Sequence, residues 1–374
     1  MGSRNIDYVK VMNNISISGF SAKGDLKIYK RLVIACFALA AISFPYTMLT
    51  AQPKINKLQK VAAATDTKVI ISEQPKKPEL SAPKSYTTIY AKSSKELINK
   101  LQKHHLWKSP LSTEIPAVIL DSYPAGLNDL TVPEKKKAFL HSLLPIALTA
   151  LAEVADERRQ LLDILDKYPA QPKRFATEED DNSPNWKKPL SSRETKFIKK
   201  LTKKYRTTSV TGLLSRVNTV PISLILAQGA IESSWGSSRF AHKGNNLFGI
   251  WTWGKQGMVP AQREEGKNHL VASYDSLLDS VRAYILMLNR VKAYTQLRAI
   301  RKKTSDPVAM AAGLLNYSER GGVYVSDIGR IIDYNNLRDF DSFTVVDSSV
   351  KTAQAEPTIT KAEISSELGK LFSN

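Results

Sequence analysis

One cysteine, Cys36, in 374 residues excludes an intrachain disulfide framework and any cysteine-based zinc site. Histidine is scarce too. His104, His105, His141, His242 and His269 are the full set, and none stands in HExxH spacing, so no metal or other cofactor is expected. Acidic residues are outnumbered, 35 Asp and Glu against 54 Lys and Arg, which gives a formal net charge of +19. The basic excess is spread over tail, linkers and helices without the aromatic interleaving of a nucleic-acid groove, so nucleic acid is not the expected partner. Such a surface suits an anionic envelope polymer or membrane head groups.

Charge is missing altogether from one stretch, Leu32 to Gln52, whose core is about long enough to span a bilayer. Lys27, Lys30 and Arg31 precede it, which leaves the N-terminus in the cytoplasm by the positive-inside rule. A retained signal-anchor over residues 32–50 is expected, although Ala51 offers a small residue where a peptidase can cut. From Ala51 to about Ser85, Pro53, Pro75, Pro78 and Pro83 stand among Lys, Ala and Ser, the composition of an extended, mostly disordered tether.

Helical periodicity dominates the chain beyond this tether. Ser94 is placed to cap a short helix with Leu97 and Leu101 on one side, and Ala117–Leu120 reads as a short strand or extended chain. Pro133 opens a helical region to about Tyr168, with Phe139, Leu143, Ile146, Ala147 and Ala150 on one face and Pro145 expected to kink or divide it. This helix is read as packing on the back of the next domain. Residues 170–190 are polar and proline-rich, a second linker. Ser191 and Glu194 form a capping box, Asp275 and Asp306 are further cap positions, and Pro307 suits a first turn. The tail from Ser342 is polar and expected to be loose.

The chain is organised around Ile222–Trp251, ISLILAQGAIESSWGSSRFAHKGNNLFGIW. Ile225, Gly229 and Glu232 share one face of an apolar helix whose start Thr219 and Pro221 would mark and whose end Gly236 would mark. A carboxylate on that stripe, in the last turn of the helix, is disfavoured by burial and by the helix dipole. Both effects raise its pKa, which suits a general acid. After Trp251 the pattern turns extended, and Gly249–Trp253 with His269–Ser273 read as a small β-hairpin.

The segment AQGAIESSWGSSRFAHKGNNLFGIW resembles the signature of the endo-β-N-acetylglucosaminidases of glycoside hydrolase family 73, in particular their Bax-type members in Gram-negative bacteria. The likeness extends to Pro133–Leu148 and Leu314–Ile332. It implies a mainly α (α+β), lysozyme-like glucosaminidase domain with a small hairpin lobe. It also implies Glu232 as the catalytic acid, a cleft lined by the NNLFGI segment, and a peptidoglycan hydrolase cutting β-1,4 bonds after N-acetylglucosamine. For the second catalytic group the resemblance points into the hairpin, to Glu265 or Glu264, although Gln262 stands near the family's TEY position; Glu319 is a further candidate. Substrate assistance by the 2-acetamido group is the alternative, with Tyr317 orienting that group or stabilising developing positive charge. Trp235, Asn245, Asn246, Phe248, Trp251 and Tyr324 are the expected substrate contacts, with core or helix packing as the competing role for Trp235, Phe248 and Tyr324 and turn formation for Asn245 and Asn246; Trp253 is another stacking surface.

The implied organisation is a cytoplasmic tail 1–31, a transmembrane anchor 32–50 in the bacterial inner membrane, a linker 51–86, a helical accessory region 87–169, a linker 170–190, a periplasmic catalytic domain 191–341 and a tail 342–374. A lytic transglycosylase shares the single Glu, but NLFGI stands where that class shows a GLMQ-like segment. A non-catalytic peptidoglycan-binding scaffold is the remaining reading.

Overall fold

The computed structural model describes residues 80–168, 190–254, 257–260, 263 and 266–348. The expected tail 1–31, anchor 32–50 and residues 51–79 of the linker lie outside these residues, as do residues 169–189 and 349–374 and the side chains of Gln262, Glu264 and Glu265.

The architecture is mainly helical. In chain order it runs β1 (Thr87–Ile89), α1 (Ser94–Lys103), β2 (Glu114–Pro116), β3 (Val118–Leu120), α2 (Val132–Lys167), α3 (Ser192–Tyr205), α4 (Val210–Arg216), α5 (Ile222–Ser233), α6 (Arg239–Gly244), β4 (Trp251–Thr252), β5 (Leu270–Val271), α7 (Leu277–Arg290), α8 (Thr295–Arg301), α9 (Pro307–Ala311), α10 (Gly322–Tyr334) and β6 (Thr344–Val346). Among the described residues strands pair only in twos: β1 with β3 and β2 with β6 in parallel, β4 with β5 antiparallel.

Helix α2 is the spine. It begins with a capping box in which the Thr131 side chain accepts from the Glu134 N–H while the Glu134 carboxylate accepts from the Thr131 N–H. It then runs 36 residues without division at Pro145. An internal proline costs about 3 kcal/mol in an isolated helix; here every residue from Ala138 to Ala152 is buried, and packing on all sides holds the helix together. A helix apolar all round belongs inside a core rather than on a surface. The expectation of a helix laid on the back of another domain is therefore corrected: α2 packs on β3, α5 and α7, within one continuous core that runs from Ile89 to Val345. The same helix is long and apolar enough to cross a membrane by length and composition, but 89% of its apolar window is buried inside the protein. Its C-terminal half joins α3 and α4 in a second cluster around Leu161, Leu201, Tyr205 and Leu213.

Local signals placed most other helix ends to within a residue. Ser191 and Glu194 make the expected capping box, and Asp306 caps α9 with Pro307 in its first turn. Ser93 rather than Ser94 caps α1, and Ser276 rather than Asp275 caps α7. Helix α5 departs further, because Thr219 does not cap it. Its first turn is held by Asp341, which accepts the Ser223 N–H at 3.0 Å and the Ser223 hydroxyl at 2.8 Å from 118 residues away. Asp341→Ala is expected to cost about 1 kcal/mol, the worth of an N-cap, read as a melting temperature lower by about 2–4 °C.

The expectation of a loose tail from Ser342 is also corrected. Thr344, Val345 and Val346 pair with Glu114, Ile115 and Pro116. Beyond them Asp347 accepts the backbone N–H groups of Lys84 and Ser85, so the first and last described segments are tied together.

Candidate active site

Helix α5 is buried from Ile222 to Ala230, and it meets α2 at Gly229, where a Cβ would stand 3.0 Å from Leu143 and 3.4 Å from Phe139. Gly229 thus sets the close approach of the two central helices. One turn on, the helix stops abruptly. Ser234 (φ 53°), Trp235 (φ 60°) and Gly236 (φ 80°) are consecutive left-handed residues, two of them carrying side chains that disfavour that region. The Ser233 hydroxyl holds the turn by donating to the Gly229 carbonyl and accepting the Gly236 N–H. Glu232 is the last side chain but one before this turn.

The loop after α6 closes over the same end of α5. Asn246 accepts the N–H groups of Phe248 and Ile250 and donates to the Ile250 and Ala272 carbonyls, both at 2.8 Å. That latch brings Gly249 (φ 62°) against Glu232, whose Oε2 lies 3.6 Å from where a Cβ on Gly249 would stand. The β4–β5 pair, extended by a bridge between Met258 and Val271, follows as the expected small hairpin.

Glu232 keeps a partial opening to solvent, yet the groups around it strip away enough water to raise its pKa to about 7; a hydrogen bond from Tyr324 and the charge of Arg320 oppose the rise. The cause expected from the sequence, burial of a carboxyl in an apolar helix, is the dominant one. Tyr324, 1% exposed, is a core residue of α10 whose hydroxyl faces the carboxyl. Tyr317 lies beside it with parallel rings 5.6 Å apart and donates its hydroxyl proton to the Phe248 carbonyl at 2.7 Å. Tyr284 and Tyr294 complete an aromatic wall behind the carboxyl.

Several expected substrate contacts are used by the fold instead. Phe248 is 1% exposed with its ring stacked on Tyr284 at 4.0 Å, so it has no open face for a sugar. The amide of Asn246 is engaged at both ends within the loop and by Ala272. Asn245, left-handed at φ 50°, donates to the Tyr274 and Asp275 carbonyls and so shapes the turn. Trp235 is half-buried, edge-on to Phe139 with the Lys136 ammonium over its ring. Trp251 stacks one face on His269 at 3.8 Å, and Trp253 is 49% exposed. Sequence reasoning missed Gln228, Tyr284 and Arg320; the signal for the first was a lone amide in an otherwise apolar run.

Residues 211–337, the segment holding Glu232, Gly249, Tyr317 and Tyr324, match the model of the glucosaminidase family, described as mannosyl-glycoprotein endo-beta-N-acetylglucosaminidase. This segment is similar to a glucosaminidase domain. The resemblance read from the residues around Glu232 therefore stands. A curated relative, Protein bax of Escherichia coli (strain K12), is 29% identical over 219 residues, covering 55% of this chain and 69% of that protein. Among solved structures, the catalytic domain of the autolysin Auto from Listeria monocytogenes is 21% identical over 41% of this chain and 90% of its own, with a TM-score of 0.28. Helix α2, which supplies much of the core under the matched segment, precedes it in the chain.

Proposed function

We propose that the protein is a peptidoglycan hydrolase that cleaves β-1,4 glycosidic bonds after N-acetylglucosamine, with Glu232 as the general acid. The observation that carries this reading is a carboxyl at the exit of a buried helix, packed against Gly249 in a residue that stays partly exposed, with burial raising its pKa to about 7. Such a group can hold a proton at physiological pH and give it to the leaving glycosidic oxygen.

The anomeric carbon also needs a nucleophile or base on the other face of the sugar. Glu265, in the segment between β4 and β5, is one candidate; the substrate's own acetamido carbonyl is the other. Tyr317 favours the second route. Its proton is committed to the Phe248 carbonyl, so its oxygen is left as an acceptor for the acetamido N–H, a bond that would turn the acetamido carbonyl toward the anomeric carbon. Trp251 and Trp253, on the hairpin, are the surfaces available for stacking sugar rings, in a lysozyme-like cleft between the hairpin and the helical body. We place the domain in the cell envelope, anchored in the inner membrane through residues 32–50 with the glycan strands as its substrate.

The test is digestion of purified sacculi by the full chain, with product analysis by mass spectrometry. New reducing N-acetylglucosamine ends are expected. Reducing N-acetylmuramic acid would make it a muramidase, anhydro-sugars a lytic transglycosylase, and binding without cleavage a scaffold; each outcome overturns the proposal. In the same assay Trp253→Ala is expected to weaken binding to sacculi several-fold, the loss of one stacking contact worth about 1 kcal/mol, with little change in the rate at saturating substrate.

A further inference from the structure

Gln228 is 0% exposed, one turn before Glu232 on α5, and both ends of its amide are engaged by tyrosines from other helices. The Tyr284 hydroxyl, from α7, donates to Gln228 Oε1. Gln228 Nε2 donates to the Tyr324 hydroxyl oxygen, on α10, at 2.9 Å. A phenol has one proton to give. With its oxygen already accepting from the amide, Tyr324 keeps that proton for the Glu232 carboxyl, which stands one turn beyond Gln228 on α5 and interacts with the Tyr324 hydroxyl. The four side chains form one directed series, Tyr284 to Gln228 to Tyr324 to Glu232, across three helices.

We propose that Gln228 is a positioning residue for the site: its buried amide, fixed by Tyr284, is what commits the Tyr324 hydroxyl proton to Glu232. This rests on the reading of Glu232 as the acid but is testable without it. A core amide kept only for packing would need no such direction, and a bond donated to the carboxylate favours its charged form. The series therefore restrains the rise in the Glu232 pKa that burial causes, and keeps the acid near neutrality instead of permanently protonated. The other groups that face Glu232 among the described residues are Arg320, from the loop before α10, which also favours the charged form, and the hydroxyls of Tyr317 and Tyr284, which are uncharged at neutral pH.

The test is direct titration of the Glu232 carboxyl by carbon-13 NMR in the full chain, its signal assigned by loss in Glu232→Gln. Gln228→Met, close in volume and without a donor, is expected to raise the Glu232 pKa by about one unit, a tenfold change in acidity. Tyr324→Phe should raise it as much, and Gln228→Met added to Tyr324→Phe should change nothing further, because the amide acts only through the phenol. If Gln228→Met does not fold, Tyr284→Phe, which frees the amide to turn, is expected to move the titration in the same direction by a smaller amount. An unshifted titration in the folded Gln228 variant, or shifts that add fully in the double variant, overturns the proposal. The titration does not require turnover, so absence of sacculus cleavage by wild type would sink the hydrolase reading alone.

Discussion

Glu232→Gln is expected to release reducing ends from sacculi at least about a hundredfold more slowly than wild type, the usual contribution of a positioned general acid. The replacement is nearly isosteric, keeps an oxygen for the Tyr324 hydroxyl, and lacks only the transferable proton. It should not weaken the fold. The pKa of Glu232 is raised in the folded protein, so its charged form is disfavoured relative to the unfolded chain, and that penalty grows as pH rises from the ordinary carboxylate range through about 7. Above that pH the glutamine variant should melt no lower than wild type. Loss of activity with an unchanged or higher melting temperature assigns the residue to chemistry; loss of both assigns it to structure.

Arg301→Ala is expected to destabilise the protein by about 3 kcal/mol or more, the range for removing a hydrogen-bonded cation that satisfies several acceptors. The side chain, on α8, donates to the carbonyls of Ser215, Asn218 and Thr219 and to Asn289 Oδ1. It has company. Arg158 donates to the Leu214 and Val217 carbonyls, Arg216 to those of Tyr205 and Arg206, and Arg298, 4% exposed, to those of Leu288 and Val291. These carbonyls belong to the ends of α3, α4 and α7, where helices leave acceptors unpaired and carry partial negative charge. Guanidinium groups thus do here what carboxylates do at N-termini. Burial lowers their pKa values, joined by repulsion from neighbouring arginines at Arg301 and at Arg298, which falls to about 10, and the directed hydrogen bonds offset that cost. Arg301→Lys should recover only part of the loss, because one ammonium cannot reproduce the planar fork. Equilibrium unfolding in urea measures both.

These two cases show what a sequence carries and what it hides. Glu232 was legible because its surroundings are local: an apolar helix, a turn of small residues and a short specific motif all lie close to it along the chain. The caps at Ser191 and Asp306 were legible for the same reason. Asp341 holding Ser223, β6 pairing with β2, and the arginines on distant carbonyls join residues that only the finished fold brings together, and no periodicity announces them. Pro145 misled in the other direction: a rule derived from isolated helices was overridden by burial on every side. Phe248 and Asn246 sit in the motif but serve the loop, which shows that membership of a signature does not decide between touching substrate and placing the residue that does. Gln228 was passed over as part of an apolar run, yet a lone amide at a buried helical position demands partners, and those partners lead to Glu232.

The most direct measurement of the central claim is the initial rate of reducing-end release from sacculi as a function of pH. A general acid must be protonated to act, so the account predicts that the rate falls as pH rises through about 7, approaching tenfold per unit on the alkaline side, the value to which desolvation raises Glu232. A rate that stays level from about pH 6 to about pH 9, with the protein folded throughout, would contradict it.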